Sequence, residues 1–441
     1  MDVLIQAGQL ILSLSILIVL HEFGHYIPAR LFNTRVEKFY LFFDWKFSLF
    51  KKKIKDTEWG IGWIPLGGYV KISGMIDESM DTEQMEQEPQ EWEFRSKPAW
   101  QRLIIMIGGI VVNLIVGFVL YAMVLFVWGE DIVKFDQLEH GFAVGEELES
   151  VGFQDGDRIV SIDGEEMRNQ LEATRFLMLR GVEQVTVQHQ DGTQEALSIP
   201  EDIEYQMFKA DDSFTPRVFA VADSVVEGNN AIKAGMMNGD SIVSVDGAPI
   251  LYWDEFVAAL KGKENTTVNI DFYRSGELMS KAVPTDSASR IGVMVNGDNR
   301  ATIIQDTHIS FGLGASIPAG ISKAYWTLHD YAAQLKFVFT KKGASSMGGF
   351  GAFGKMFKKE WHWQSFWLNT ALISIILAFM NFLPIPALDG GHIMFLLYEM
   401  ITGRQPHQKV LEYAQIAGFI FILGLVLYAN GNDIYKWLSG Q

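Results

Sequence analysis

His21 and His25 stand four residues apart in "HEFGH", at the end of a long apolar run. On a helix that spacing puts both imidazoles on one face about one turn apart, so both can point at one metal ion. Glu22, beside the first histidine, can reach a water that such a metal would polarise. Zinc takes neutral histidine nitrogens readily, and a catalytic zinc needs three protein ligands plus an open water position. The metal lowers the pKa of that water, and Glu22 takes its proton and later gives it to the leaving amine. The bland alternative is a chance H-E-x-x-H that only helps helices pack. The setting weighs against it, because an ionisable residue in a span costs roughly 2–3 kcal/mol or more if left facing lipid.

A third ligand must come from elsewhere. In "NFLPIPALDGGH" (381–392), Asp389 follows an apolar run, after two prolines that break helical hydrogen bonding and before Gly390-Gly391. A carboxylate there is costly unless it meets a cation. One Zn2+ per chain, held by His21, His25 and Asp389, answers both puzzles. Capping of a helix that starts near Gly391 is compatible with that role. The chain has no cysteine, so no thiolate is a ligand or nucleophile.

Helices long enough to cross a bilayer must position these groups. Positions 3–20, 103–128 and 363–388 carry no charge, and 410–429 carries only Glu412. Each approaches or exceeds the ~20 residues needed to cross ~30 Å of hydrocarbon. No Lys or Arg precedes Arg30, whereas 30–102 holds twelve. The positive-inside rule therefore puts 30–102 in the cytoplasm and both termini outside. The first apolar run, which lacks a basic leader and a small-residue cleavage pattern, is read as a retained span. At 1.5 Å per residue it traverses ~27 Å before His21, which puts the metal near the cytoplasmic face. The formal charge of −17 falls partly in 77–93 and partly between spans two and three, and argues against nucleic acid.

Between the spans the pattern changes. "DTEWGIGWIPLGGYVKISGM" (56–75) alternates β-prone runs with glycines, and Gly67-Gly68 reads as a turn joining two strands. A membrane-re-entrant hairpin fits that composition, since irregular backbone at membrane depth must be buried by protein or line a wet cavity. Further on, "GDRIVSIDG" (156–164) recurs as "GDSIVSVDG" (239–247), and "FAV" at 142–144 recurs at 219–221. A period of about 80 residues is a duplicated domain. The aromatic, amphipathic stretch 318–342 suits a helix lying along the membrane surface, and the glycine-rich 343–357 suits irregular chain.

"HEFGH", "PLGGYVKI", the paired "GDxIVSxDG" units and "NFLPIPALDGG", in this order, resemble the site-2 protease family of intramembrane zinc metalloproteases, and most of all its proteobacterial RseP type with tandem PDZ domains. The resemblance covers nearly the whole chain. It implies a polytopic α-helical membrane protein with about four transmembrane helices, a re-entrant β-hairpin and two extramembrane PDZ-like α/β domains. The corresponding segments are 1–128, 129–210, 211–300, 301–362 and 363–441. It further implies cleavage within transmembrane segments of single-span proteins, such as anti-sigma factors and remnant signal peptides, during regulated intramembrane proteolysis in the bacterial inner membrane. Another protease would trim those substrates first. His21, His25 and Asp389 match the zinc ligands and Glu22 the acid/base, while Asn381, Pro384 and Pro386 match the loop that positions substrate. The pattern Gly-Pro-x-x-Asn lacks its proline in "GGIVVN", with Asn113 retained for substrate contact or for an interhelical hydrogen bond.

A helix in lipid keeps its carbonyls hydrogen-bonded, so a substrate must be unwound and held extended. Strand addition to the hairpin, with Gly67, Gly68, Tyr69 and Val70 at its centre, would do this. The PDZ-like pair would act as a size filter or would capture a new C-terminus. Two other classes compete: a peptide-binding scaffold with a relict metal motif, and a metal transporter. The intact motif opposes the first, and the scarcity of ionisable residues in spans two and four opposes the second.

Overall fold

The computed structural model describes residues 2–75, 88–295 and 304–439. Most of the acidic stretch 77–93 and the 300/301 boundary lie outside them. The chain divides into two units, Met1–Gly129 with Ser310–Gln441, and Glu130–Ile309.

The first unit holds six principal helices: α1 (Asp2–Leu31), α2 (Ala99–Trp128), α3 (Leu313–Val338), α4 (Trp363–Phe382), α5 (Asp389–Thr402) and α6 (Gln408–Ser439). Among the described residues α1, α2, α4 and α6 are long and apolar enough to cross a membrane. Between apolar helices close packing, not water exclusion, drives association, so small residues mark the crossings. A Cβ on Gly24 of α1 would lie 2.6 Å from Gly109 Cα of α2. On α4, Ser374 Oγ donates to Asn113 O of α2 at 2.7 Å. Helix α4 stops at Phe382 because Pro384 and Pro386 have no N–H to donate, and the chain resumes as α5 at Asp389.

Four strands, β1 (Val36–Phe43), β2 (Phe50–Ile54), β3 (Thr57–Ile61) and β4 (Ile64–Ile72), form a mixed sheet of order β2-β3-β1-β4. The expected turn at Gly67-Gly68 is not there. Both glycines lie inside β4, with Gly68 opposite Leu41, and the reversal falls at Gly62-Trp63. Glycine is needed at 68 for close approach rather than for turning. A Cβ there would lie 2.5 Å from Ile18 Cγ2 and 2.8 Å from Tyr40 O.

The amphipathic stretch forms α3, which is seated on other helices. A Cβ on Gly320 would lie 2.6 Å from Ala122 Cα, Ala324 is buried with Leu120 and Tyr121, and Tyr331 meets Phe379 edge-on. The glycine-rich segment is not irregular throughout, since it forms the short helices Lys341–Ser346 and Phe350–Lys355. Side chains of α6 satisfy amides at the start of the second: Asp433 accepts from Gly349 N and Ala352 N, and Asn430 accepts from Phe350 N.

The second unit contains the duplication. Each copy builds a four-stranded antiparallel sheet of the same order: Glu165–Glu166, Arg158–Ile162, Gln184–Gln188 and Gln194–Ser198 in the first, Ala248–Pro249, Ser241–Val245, Thr267–Arg274 and Glu277–Pro284 in the second. The repeated Asp-Gly turns the chain in both, with Asp163 and Asp246 each at φ 50°. Thr215–Pro216 pairs with Phe142–Ala143, so the first module extends past residue 210. Thr307–Ile309 pairs with Glu130–Ile132 and closes the unit beyond residue 300.

Candidate functional site

Helix α1 presents His21 and His25 toward α2 and the start of α5. His25 is 5% exposed, and its Nδ1 lies 2.8 Å from Ile105 O. A carbonyl oxygen only accepts, so Nδ1 carries the hydrogen and Nε2 is left with a lone pair. That Nε2 lies 3.2 Å from His21 Nε2. Asp389 Oδ2 is 3.4 Å from both ring nitrogens, and it is buried without a hydrogen-bond donor.

With both Nε2 atoms unprotonated, these three electron-rich atoms repel one another unless a cation sits between them. Tetrahedral zinc with bonds of about 2.0–2.1 Å separates its ligand atoms by roughly 3.3–3.4 Å. The triangle His21, His25, Asp389 has edges of 3.2, 3.4 and 3.4 Å, so the donor set fits that ion.

One stripe of α2, at four-residue intervals, supports the histidines. Ile105 O fixes the His25 ring. Gly109 leaves room for both rings, since a Cβ there would lie 2.6 Å from His21 Cε1. Asn113 is 1% exposed, with its amide 3.2 Å from His21 Nδ1 and its Oδ1 without a partner. The two ends of an amide are equivalent in shape. Turning the oxygen toward His21 lets it accept from Nδ1–H and leaves His21 Nε2 free for a metal. This burial sets Asn113 behind the His21 ring.

Beside the triangle is a cavity of about 50 Å³, lined by Glu22, Val70, Met106, His392 and Gln415 among others. Of the four residues proposed on the sheet only Val70 lines it. Tyr69 instead donates to Asp44 Oδ1 at 2.9 Å, and the glycines pack on Phe43 and Ile18. From the 381–392 segment, Asn381 Nδ2 comes within 3.4 Å of His21 Nε2. Pro386 is clamped, because a Cβ on Gly391 would meet its Cα at 2.6 Å, whereas Pro384 is exposed. Ala387 adopts φ +77°, and its N–H donates to Gln415 Oε1 at 3.3 Å. Such a conformation is costly for alanine and holds only where its surroundings fix it.

A model of Peptidase family M50 matches residues 9–425. The chain belongs to family M50. A putative zinc metalloprotease of Neisseria meningitidis is 27% identical over 456 residues, covering 97% of this chain and 98% of that protein. The regulator of sigma-E protease RseP of Salmonella typhimurium is 27% identical over 477 residues, covering 99% and 100%. The regulator of sigma E protease of Haemophilus influenzae is 27% identical over 469 residues, with the same coverage. This M50 peptidase is a zinc metalloendopeptidase with several membrane helices.

Three features of this M50 site escaped the sequence reading. His392 follows Asp389 by three residues, a spacing that puts both on one helical face and was itself a usable signal. Gln415 lies on the fourth span, where no local pattern ties it to Ala387. The carbonyl of Ile105 has no signature at all, since any residue carries one.

Proposed function

We propose that His21, His25 and Asp389 hold the zinc, and that Glu22 is the proton carrier for hydrolysis of peptide bonds inside transmembrane segments. The observation that carries this reading is the ligand-distance triangle, with Glu22 lining the same cavity. Zinc bound there supplies Lewis acidity, polarising a carbonyl and bringing the pKa of water toward neutrality. Glu22 takes one proton from the attacking water and delivers it to the leaving nitrogen, so the C–N bond breaks to a carboxylic acid and an amine, and the acid's proton then passes to the amine to give carboxylate and ammonium. The Ile105 carbonyl and the Asn113 amide keep the two rings turned so that their Nε2 atoms face Asp389.

A substrate strand would add to the free edge of β4, which is the outer strand of its sheet and brings Val70 to the cavity. Gly67, Gly68 and Tyr69 shape that strand, while Asn381, Pro384 and Pro386 border the site from the other side. The sheet would be re-entrant, since Gly68 packs against Ile18 at the level of the metal motif. The duplicated modules are read as PDZ-like. A cleft of about 770 Å³ between them, lined by Val218, Phe256 and Ile291, is large enough for a few peptide residues and too small for a folded domain. That supports a filter which admits only trimmed substrates.

Relatives named as sigma-E regulator proteases support single-span anti-sigma-factor substrates, and remnant signal peptides would suit the same site. The protein would sit in the bacterial inner membrane, with the modules and both termini periplasmic and the zinc near the cytoplasmic face. The test is cleavage of a single-span reporter without a bulky outer domain by wild type and by Glu22→Gln, with bound zinc measured in both. Cleavage lost with zinc retained is the expected result. Cleavage by neither form across several reporters would favour the scaffold reading.

A further inference from the structure

Two of the three ligand residues ride on α1, a helix of 30 residues, but Asp389 begins α5, which has only 14. Helix α5 is seated on one face. Gly390, Gly391, Ile393 and Leu396 are buried, and Ile393 and Leu396 join the cluster of Ile105 and Met106 on α2. Farther along the helix Leu397, Tyr398 and Ile401 are exposed. No helix continues α5 directly on either side, with two prolines before it and Gly403 in the left-handed conformation directly after it.

At the far end of the buried face, Glu399 forms an ion pair with the Arg102 guanidinium of α2, and the two side chains are only 13% and 10% exposed. Arg102 Nε also donates to Lys97 O at 2.9 Å, and Gln405 Nε2 donates to Glu399 Oε1 at 3.3 Å. Apolar contacts alone tolerate a slip, because one buried aliphatic surface replaces another. A buried ion pair does not, since displacement leaves each charge desolvated and without its counter-charge. A slip of one residue would move α5 by ~1.5 Å and turn it by ~100°. That is enough to carry Asp389 out of a triangle whose edges are 3.2–3.4 Å.

We propose that Arg102 and Glu399 are positioning residues: their ion pair latches α5 onto α2 in the one register that presents Asp389 to His21 and His25. The inference rests on the zinc-site reading above. It assigns a task in the metal centre to Glu399, about three helical turns from Asp389, and to its partner Arg102 on α2.

The test uses full-length protein in nanodiscs, with the variants Arg102→Gln, Glu399→Gln and the apolar pair Arg102→Met with Glu399→Leu. Zinc release to a chelator is followed by colour change, and amide exchange over 390–402 is compared with α2 and α4 in the zinc-stripped protein. Each single variant is expected to release zinc roughly 10–100-fold faster, the usual effect of losing a group that orients a ligand. Exchange should rise in α5 while α2 and α4 stay protected. The double variant should be no worse than either single, because two groups acting as one latch are not additive. Zinc release unchanged in the single variants would overturn the latch. Additive losses, or loss of protection across all three helices, would overturn it too by making the pair merely structural. A wild type that binds no zinc would overturn the latch together with the reading it rests on, whereas equal zinc retention by all forms overturns the latch alone.

Discussion

The His25 Nδ1 lies 2.8 Å from the carbonyl oxygen of Ile105, across the interface between α1 and α2. A backbone acceptor thus decides which nitrogen of His25 is free. The same stripe of α2 continues through Gly109 to Asn113, so one helix sets the orientation of both histidine rings.

Gly109→Ala should disable the site. The new Cβ would lie 2.6 Å from His21 Cε1 and 2.8 Å from its Nδ1, and neither ring can yield without leaving the triangle. Bound zinc and reporter cleavage should each fall by roughly tenfold or more. Gly117→Ala on the same helix is the control. Its Cβ would meet the Ile375 side chain rather than either histidine, so zinc content should stay near wild type.

Asn113→Leu keeps the volume and removes the hydrogen bond to His21. Zinc affinity, measured by competition with a chelator, should weaken by about 10–100-fold. A substrate-contact role would instead raise KM and leave zinc affinity unchanged.

The two modules differ in how they neutralise the aspartate of their repeated Gly-Asp. Asp240 pairs with Arg274 at 2.7 Å, and Asp157 pairs with His189 at 2.6 Å. The hydrogen bond to Asp157 raises the His189 pKa above its ordinary 6.5. A raised histidine pKa contributes stability that is complete below about 6.5 and is lost as pH rises through the folded-state value. The shared unfolding midpoint of the two modules should therefore drift down from pH 6 to pH 9 in thermal scans of the full chain. His189→Arg, which copies the second module, should flatten that drift.

Arg217 joins the modules. Its guanidinium donates to Asp254 Oδ2 at 2.8 Å and Glu255 Oε1 at 2.7 Å and stacks over the Tyr252 ring. Arg217→Met should cost on the order of 2 kcal/mol, the loss expected for hydrogen bonds to charged groups. Calorimetry should show the modules melting separately where the wild type melts them together.

Composition and spacing alone determined the four spans, the duplicated modules and the polar groups His21, Glu22, His25 and Asp389. Each is a strong local signal: a long uncharged run, a repeated nine-residue string, or an ionisable side chain where burial penalises it. Tertiary structure decided what no local pattern encodes. Gly67-Gly68 looks like a turn in sequence, yet it lies within a strand whose pairing is irregular there, and residue 68 is glycine because Ile18 lies too close for any side chain. Asn113 was legible as an anomaly, but its partner depended on where α2 crosses α1. The Ile105 carbonyl and the Arg102–Glu399 pair were invisible in sequence for the same reason. Whether an ordinary group becomes part of a site depends on which neighbour the packing of helices sets against it.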